Sequence, residues 1–253
     1  MKSTIILFVL LSNFVNAQSK YRFVYEYTYV KDSLKKHNIK KEIYHLDISI
    51  NRSLFYNKNR LSNDTVFSQK FLFSEFDYII ERENTAKSIV QYTNLSGFSY
   101  KILDEPELKW EILNSSKKIL DYSAQLGKVS FRGREWNAWF STSLPFNTGP
   151  YKFNGLPGLI VKMNDTTNSH LFELVAVQPM SDHINFRPSK PLSISHKSFQ
   201  QVVKNYRDNP NKELLNIETI TTDDGLNNGE FKKRIEEYYK RKMKHENNFI
   251  ELY

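Results

Sequence analysis

Alternation is the first signal along the chain. In Tyr21-Arg-Phe-Val-Tyr-Glu-Tyr-Thr-Tyr29 every second residue is aromatic, which places Tyr21, Phe23, Tyr25, Tyr27 and Tyr29 on one face of a strand. From Ile43 to Ile50 the apolar set Tyr44, Leu46, Ile48 and Ile50 alternates with His45, Asp47 and Ser49, and the apolar set is expected to be buried. Further short strands are read at Ser53 to Tyr56, Asp77 to Glu81, Ser88 to Tyr92 and Phe98 to Leu103. A second group follows at Tyr122 to Phe131, Glu135 to Ser141, Leu159 to Lys162 and His170 to Gln178. Asn, Ser and Gly separate the runs, as in an antiparallel meander. No strand–helix–strand rhythm interrupts them, which argues against a parallel nucleotide-binding sheet.

The pattern changes near residue 195. Ser195 is placed to cap a helix running to about Arg207, ended by Asp208-Asn-Pro210. After the polar loop Thr222 to Gly229, a charged helix is expected from Glu230 to His245, with Phe231, Ile235, Tyr238 or Tyr239, and Met243 on one stripe. The fold class is therefore mainly β with C-terminal helices (α+β), a curved antiparallel sheet or open barrel. Residues 18–253 suit a single β-rich domain, helical from about 195.

Composition changes this picture in three places. The first residues, M-K-S-T-I-I-L-F-V-L-L-S-N-F-V-N-A, carry a basic start, an apolar stretch and a small residue at Ala17. They read as a signal peptide over residues 1–17, which implies a periplasmic or outer-membrane-associated protein. There are no cysteines, so disulfides and thiol chemistry are excluded. The formal charge is +8, which permits an anionic partner and peripheral contact with an anionic membrane, most of all through the basic helix at 230–245. No nucleic-acid partner, cofactor or metal is expected.

Enzyme motifs are poor. The six histidines form neither H-E-x-x-H nor a close pair, and G-x-S-x-G and both glycine-rich phosphate loops are absent. Ser33-Leu-Lys-Lys36 and Ser115-Ser-Lys-Lys118 fit S-x-x-K, a pattern too short to carry weight. Asp182-His183 is half a site at best, and Asp32-Ser-Leu, Asp64-Thr-Val and Asp165-Thr-Thr resemble a short bacterial O-glycosylation signal.

Two stretches hold more. In Phe131-Arg-Gly-Arg-Glu-Trp-Asn-Ala-Trp-Phe140, Gly133 suits a tight hairpin; Trp136, Ala138 and Phe140 share one face, and Asn137 and Trp139 the other. A strand with Trp on both faces is central in a layered fold or borders a ligand. Trp136 and Trp139 are therefore candidate ligand-binding residues, with Arg132 and Arg134 placed to hold an anionic head group. In Gly149-Pro-Tyr-Lys-Phe-Asn-Gly-Leu-Pro-Gly-Leu-Ile160, Asn154-Gly155 and Pro157-Gly158 are read as structural turns, the second as type II with positive φ at Gly158.

Together these stretches resemble the GLPGLI family of exported Bacteroidota proteins, whose hexapeptide stands here as Gly155 to Ile160. The resemblance runs from about Tyr122 to Val177, and Asn248 to Leu252 is similar to the family's C-terminal end. It implies export and a β-rich fold, and it brings no established activity. Members often carry a Cys where this chain has Ala124. Three functions stay open. A binding or carrier module for an apolar or amphipathic anion, or for an outer-membrane protein, calls for an aromatic cavity. An enzyme, a hydrolase for instance, calls for convergent His and carboxylate groups. A structural or interaction protein calls for a filled sheet interior.

Overall fold

The computed structural model describes residues 20–60, 78–95, 98–180, 190–209 and 228–252. The expected leader and the features at Asp64 and Asp182-His183 lie outside them.

One twelve-stranded sheet dominates. Its strands are β1 (Tyr21–Val30), β2 (Ile39–Ile48), β3 (Arg52–Asn57), β4 (Ile79–Glu83), β5 (Ile89–Leu95), β6 (Phe98–Asp104), β7 (Glu111–Ile119), β8 (Tyr122–Phe131), β9 (Arg134–Ser141), β10 (Leu159–Asp165), β11 (His170–Pro179) and β12 (Leu192–Ser195). Their spatial order is β12-β6-β5-β4-β3-β2-β1-β11-β10-β9-β8-β7. Among the described residues every pairing is antiparallel except β12 with β6. The chain thus lays one meander outward from β1 to β6, crosses to the far edge at β7, and returns by a second meander to β11 against β1.

That crossing dictates the curvature. Asp104 ends β6 and Glu111 begins β7, so seven residue steps, at most about 25 Å of chain, join them. Laid flat, the ten strand spacings between β6 and β7 would span about 48 Å. The sheet therefore curls until its two edges approach, without closing: an open barrel, as the strand pattern predicts.

The inner face carries the alternating aromatics. Phe23, Tyr25, Tyr27, Tyr44, Leu46, Phe55, Trp136, Ala138, Phe140, Met163 and Phe172 form one buried core. Tyr27 stacks on Phe172 at 4.2 Å and on Tyr29 at 4.8 Å. Ile50, expected among the buried set, is 67% exposed because β2 ends at Ile48 and the chain turns there. His45 and Asp47, which alternate with the apolar set, are buried as well. On the face opposite the core, Arg22 grips Asp47 through two hydrogen bonds of 2.7 and 2.9 Å, and Tyr56 donates to Asp47 at 2.8 Å.

Two strands have no clear signal in the sequence. β7 is an edge strand exposed on both faces, so it has no reason to alternate. β12 has four residues. Helix α1 (His196–Asp208) is capped by Ser195, whose hydroxyl accepts from the Ser198 N–H, as predicted. It packs Phe199 on Tyr100 and Ile102 at the β6–β12 end. Helix α2 (Asn228–His245) leads into the C-terminal segment 246–252.

Candidate functional site

The inner face of the barrel is filled by the chain itself. Residues 142–158, between β9 and β10, fold back over it, and Tyr151, Phe153 and Leu156 are all 4% exposed or less. Phe153 packs on Trp136 at 4.9 Å and on Phe131 at 5.2 Å. This loop, joined by Ile250 of the C-terminal segment, is the second layer that the inner Trp face requires.

Its turns differ from expectation in one respect. Asn154-Gly155 does bend with positive φ, +95° at Gly155. Gly158 is not among the residues with positive φ. It is needed for space: a Cβ there would lie 2.2 Å from the Ser141 carbonyl oxygen. Gly158 follows Pro157 where the loop rejoins the sheet beside β9.

The four candidate ligand residues separate. Trp136 is 1% exposed in the core. Trp139 is half-buried on the opposite face, with the Lys117 ammonium 3.9 Å over its ring. Arg132 and Arg134 flank Gly133 at the β8–β9 turn and enter two different ion clusters.

Arg134 lies in the inner cluster. It donates to Asp165 at 3.0 Å, to the Phe249 carbonyl at 2.9 Å through Nε, and to the Asn248 side chain at 2.6 Å. Asp165 also accepts from the backbone N–H groups of Ser169 and His170. The His170 Nδ1 and the Tyr27 hydroxyl share a hydrogen bond of 2.6 Å. Burial, reinforced by the Arg134 charge, lowers the His170 imidazole to about 3, so it is neutral at ordinary pH.

Arg132 enters a second cluster at the rim, with Asp104 from the end of β6, Tyr151 and Lys152 from the loop, His196 from the start of α1, and Glu251 from the C-terminal segment. Arg132 donates to Asp104 at 2.7 Å. Lys152, 1% exposed, bridges Asp104 at 3.0 Å and Glu251 at 2.7 Å. Tyr151 donates to Glu251 at 2.7 Å. His196 Nε2 lies 3.5 Å from Glu251 and 3.7 Å from Asp104, and Arg132 Nη1 rests 2.8 Å from His196 Nδ1. Arg132 and Tyr151 both hold left-handed backbone, at φ 49° and 57°, a conformation that costs about 1–2 kcal/mol for a residue with a side chain.

This cluster joins elements that are far apart in the sheet order, so it fastens the curl. Asp104, His196 and Glu251 offer three ligand atoms within 4.8 Å of one another, the spacing a metal ion needs. The ammonium of Lys152 already stands between the two carboxylates, however, and the Arg132 guanidinium adds a second positive charge. The arrangement suits an internal cation better than a divalent ion. Sequence reasoning singled out Arg132 here and missed the other members. Lys152 had no local signal, because its partners come from β6 and the C-terminal segment.

A surface groove lies beside the cluster. Arg207 on α1, Met243 on α2, and Glu246, Asn247, Phe249 and Leu252 line it. The Arg207 guanidinium stacks 3.7 Å above the Phe249 ring. Glu246 is held by Lys31 at 3.6 Å and Lys242 at 3.8 Å.

Comparison with known proteins adds a fold and no activity. A family described as a protein of unknown function (Porph_ging) matches residues 81–162, which include the hexapeptide. No curated protein matches the chain. Two crystal forms of PNGF-II, P21 and C2, are similar in fold, each with a TM-score of 0.57 and 14% identity. The likeness covers 75% of this chain and 34% and 33% of the PNGF-II chains, so this chain spans about a third of their length. No described helix is long and apolar enough to cross a membrane.

Proposed function

We propose that this chain is an exported binding module that takes an amphipathic anion at its surface, in the groove between α1, α2 and the C-terminal segment. The observation that carries this reading is the Arg207 guanidinium 3.7 Å over the Phe249 ring, with Met243 and Leu252 as apolar walls. A guanidinium beside an aromatic ring suits a carboxylate or phosphate head group, and the apolar walls suit a hydrocarbon chain. Lys31 and Lys242 offset the Glu246 charge, so the groove favours a negative head group. The reading moves the ligand from the aromatic cavity expected inside the barrel, where the loop packs Tyr151, Phe153 and Leu156, to the surface groove. In this reading the Trp136 and Trp139 rings support the sheet, and residues 1–17 direct the chain to the periplasm, at or near the outer membrane.

Isothermal titration calorimetry with dodecanoate and with dodecyltrimethylammonium tests the reading. The anion is expected to bind and the cation not, with Arg207→Ala weakening dodecanoate about tenfold, roughly 1.4 kcal/mol. Equal binding of both surfactants, or full affinity in Arg207→Ala, overturns it.

A further inference from the structure

The C-terminal segment is held the way a bound peptide is held. The Asn247 and Asn248 N–H groups donate to the Lys31 carbonyl at 3.2 and 3.1 Å, and the Asn248 side chain donates to the Val30 carbonyl at 2.7 Å. Arg134 caps the Phe249 carbonyl. Ile250 is 3% exposed in the core, and the Leu252 N–H donates to the Arg132 carbonyl at 2.8 Å. Most of these contacts read backbone. Two sockets read side chains: an apolar one for Ile250 and a cationic one for Glu251.

We infer that Lys152, Tyr151 and His196 form a carboxylate-binding niche which Glu251 fills as a tethered occupant, and which an extended acidic peptide of a partner protein takes in its place. The receptor groups belong to the body of the fold. Lys152 and Tyr151 are 1% and 4% exposed, and the left-handed backbone at Tyr151 aims its hydroxyl at the Glu251 carboxylate, 2.7 Å away. A non-glycine residue persists in that conformation only when its surroundings impose it, so the niche is built rather than moulded by the ligand.

Charge determines what can replace the segment. With Glu251 withdrawn, Lys152 and Arg132 face Asp104 alone, and a buried ammonium has lost a partner. Leaving it uncompensated is strongly unfavourable. Exchange for another carboxylate is therefore favoured over simple opening, and the preferred peptide carries an apolar residue followed by Asp or Glu. This inference does not rest on the Arg207 groove.

The test uses the full chain and a fluorescein-labelled heptapeptide with the sequence of residues 247–253. The Glu251→Gln chain, whose own occupant is weakened, is expected to bind the peptide at least about tenfold more tightly than the unaltered chain. A peptide carrying Gln at the acidic position is expected to lose that gain. Equal binding by both chains, or by both peptides, overturns the inference. Hydrogen exchange on the unaltered chain covers the case in which Glu251→Gln does not fold. Millimolar peptide should speed exchange at the Asn248 and Leu252 amides, and a flat response there makes the segment a permanent part of the fold.

Discussion

The loop of residues 142–158 and helix α1 teach opposite lessons about order and burial. The loop has no helix or strand of its own, yet it places Tyr151, Phe153, Leu156 and even Lys152 in the interior. Helix α1 is a regular element of 13 residues with a side-chain cap, and its one buried residue is Phe199. Regular hydrogen bonding therefore does not measure how much of the core an element carries. The loop replaces strand pairing by local bonds, such as Phe146 N–H to the Leu144 carbonyl at 2.7 Å and Thr148 N–H to the Phe146 carbonyl at 2.8 Å. It is then free to follow the concave surface where a straight helix could not.

The largest expected effects lie in the loop. Gly158→Ala drives a methyl group into the Ser141 carbonyl and should prevent folding or cost more than any other single change considered. Phe153→Ala opens a cavity among Trp136, Phe131 and Trp110 and should cost about 3–5 kcal/mol in urea unfolding. Phe199→Ala, in the smaller α1 core, should cost less than half of that. Equal losses for the two phenylalanines would break the comparison.

Acid should act next, and through the sheet. Burial lowers the His170 imidazole to about 3 and that of His45 to about 4, against an ordinary 6.5. The unfolded chain then binds more protons than the folded one between those values. Stability is complete above pH 6.5 and falls as the pH drops toward the folded values, by on the order of 1.4 kcal/mol per pH unit for each histidine. Urea midpoints measured from pH 7 to pH 4.5 check this, and His45→Gln should remove part of the slope. A profile flat across that range would mean that neither imidazole is held neutral.

The smallest change is expected at the helix. Ser195→Ala removes the cap on α1 and should cost about 1 kcal/mol, read as a small shift in thermal midpoint. A loss as large as that of Phe153→Ala would show that α1 supports the barrel after all.

The same contrast explains what the sequence makes legible. Strand β1 was plain because an aromatic stands at every second position and one face is buried from Phe23 to Tyr29. The opposite faces of Trp136 and Trp139 followed from the same period. Ser195 was plain because its cap bond is local. Lys152 was not, since its carboxylates sit 48 positions before it and on the last residues of the chain. The burial of His45 and Asp47 had no local signal, since their partners lie on neighbouring strands: Arg22 and Tyr56 for Asp47, and Tyr56 for His45. Gly158 was assigned to the right bend for a different reason: the Ser141 carbonyl that excludes a side chain belongs to another element. Local chemistry could be read; pairings across the fold could not.

The two-meander topology also sets a timetable. β1 is the first strand of the sheet to leave the ribosome, and β2 follows at once to pair with one of its edges. Its other edge belongs to β11, and Tyr27 must wait for His170, 143 positions later. Contacts so distant form slowly. Until then the β1 edge, lined with tyrosine and phenylalanine, stays open to other chains, and the rate at which the second meander arrives determines how long that hazard lasts.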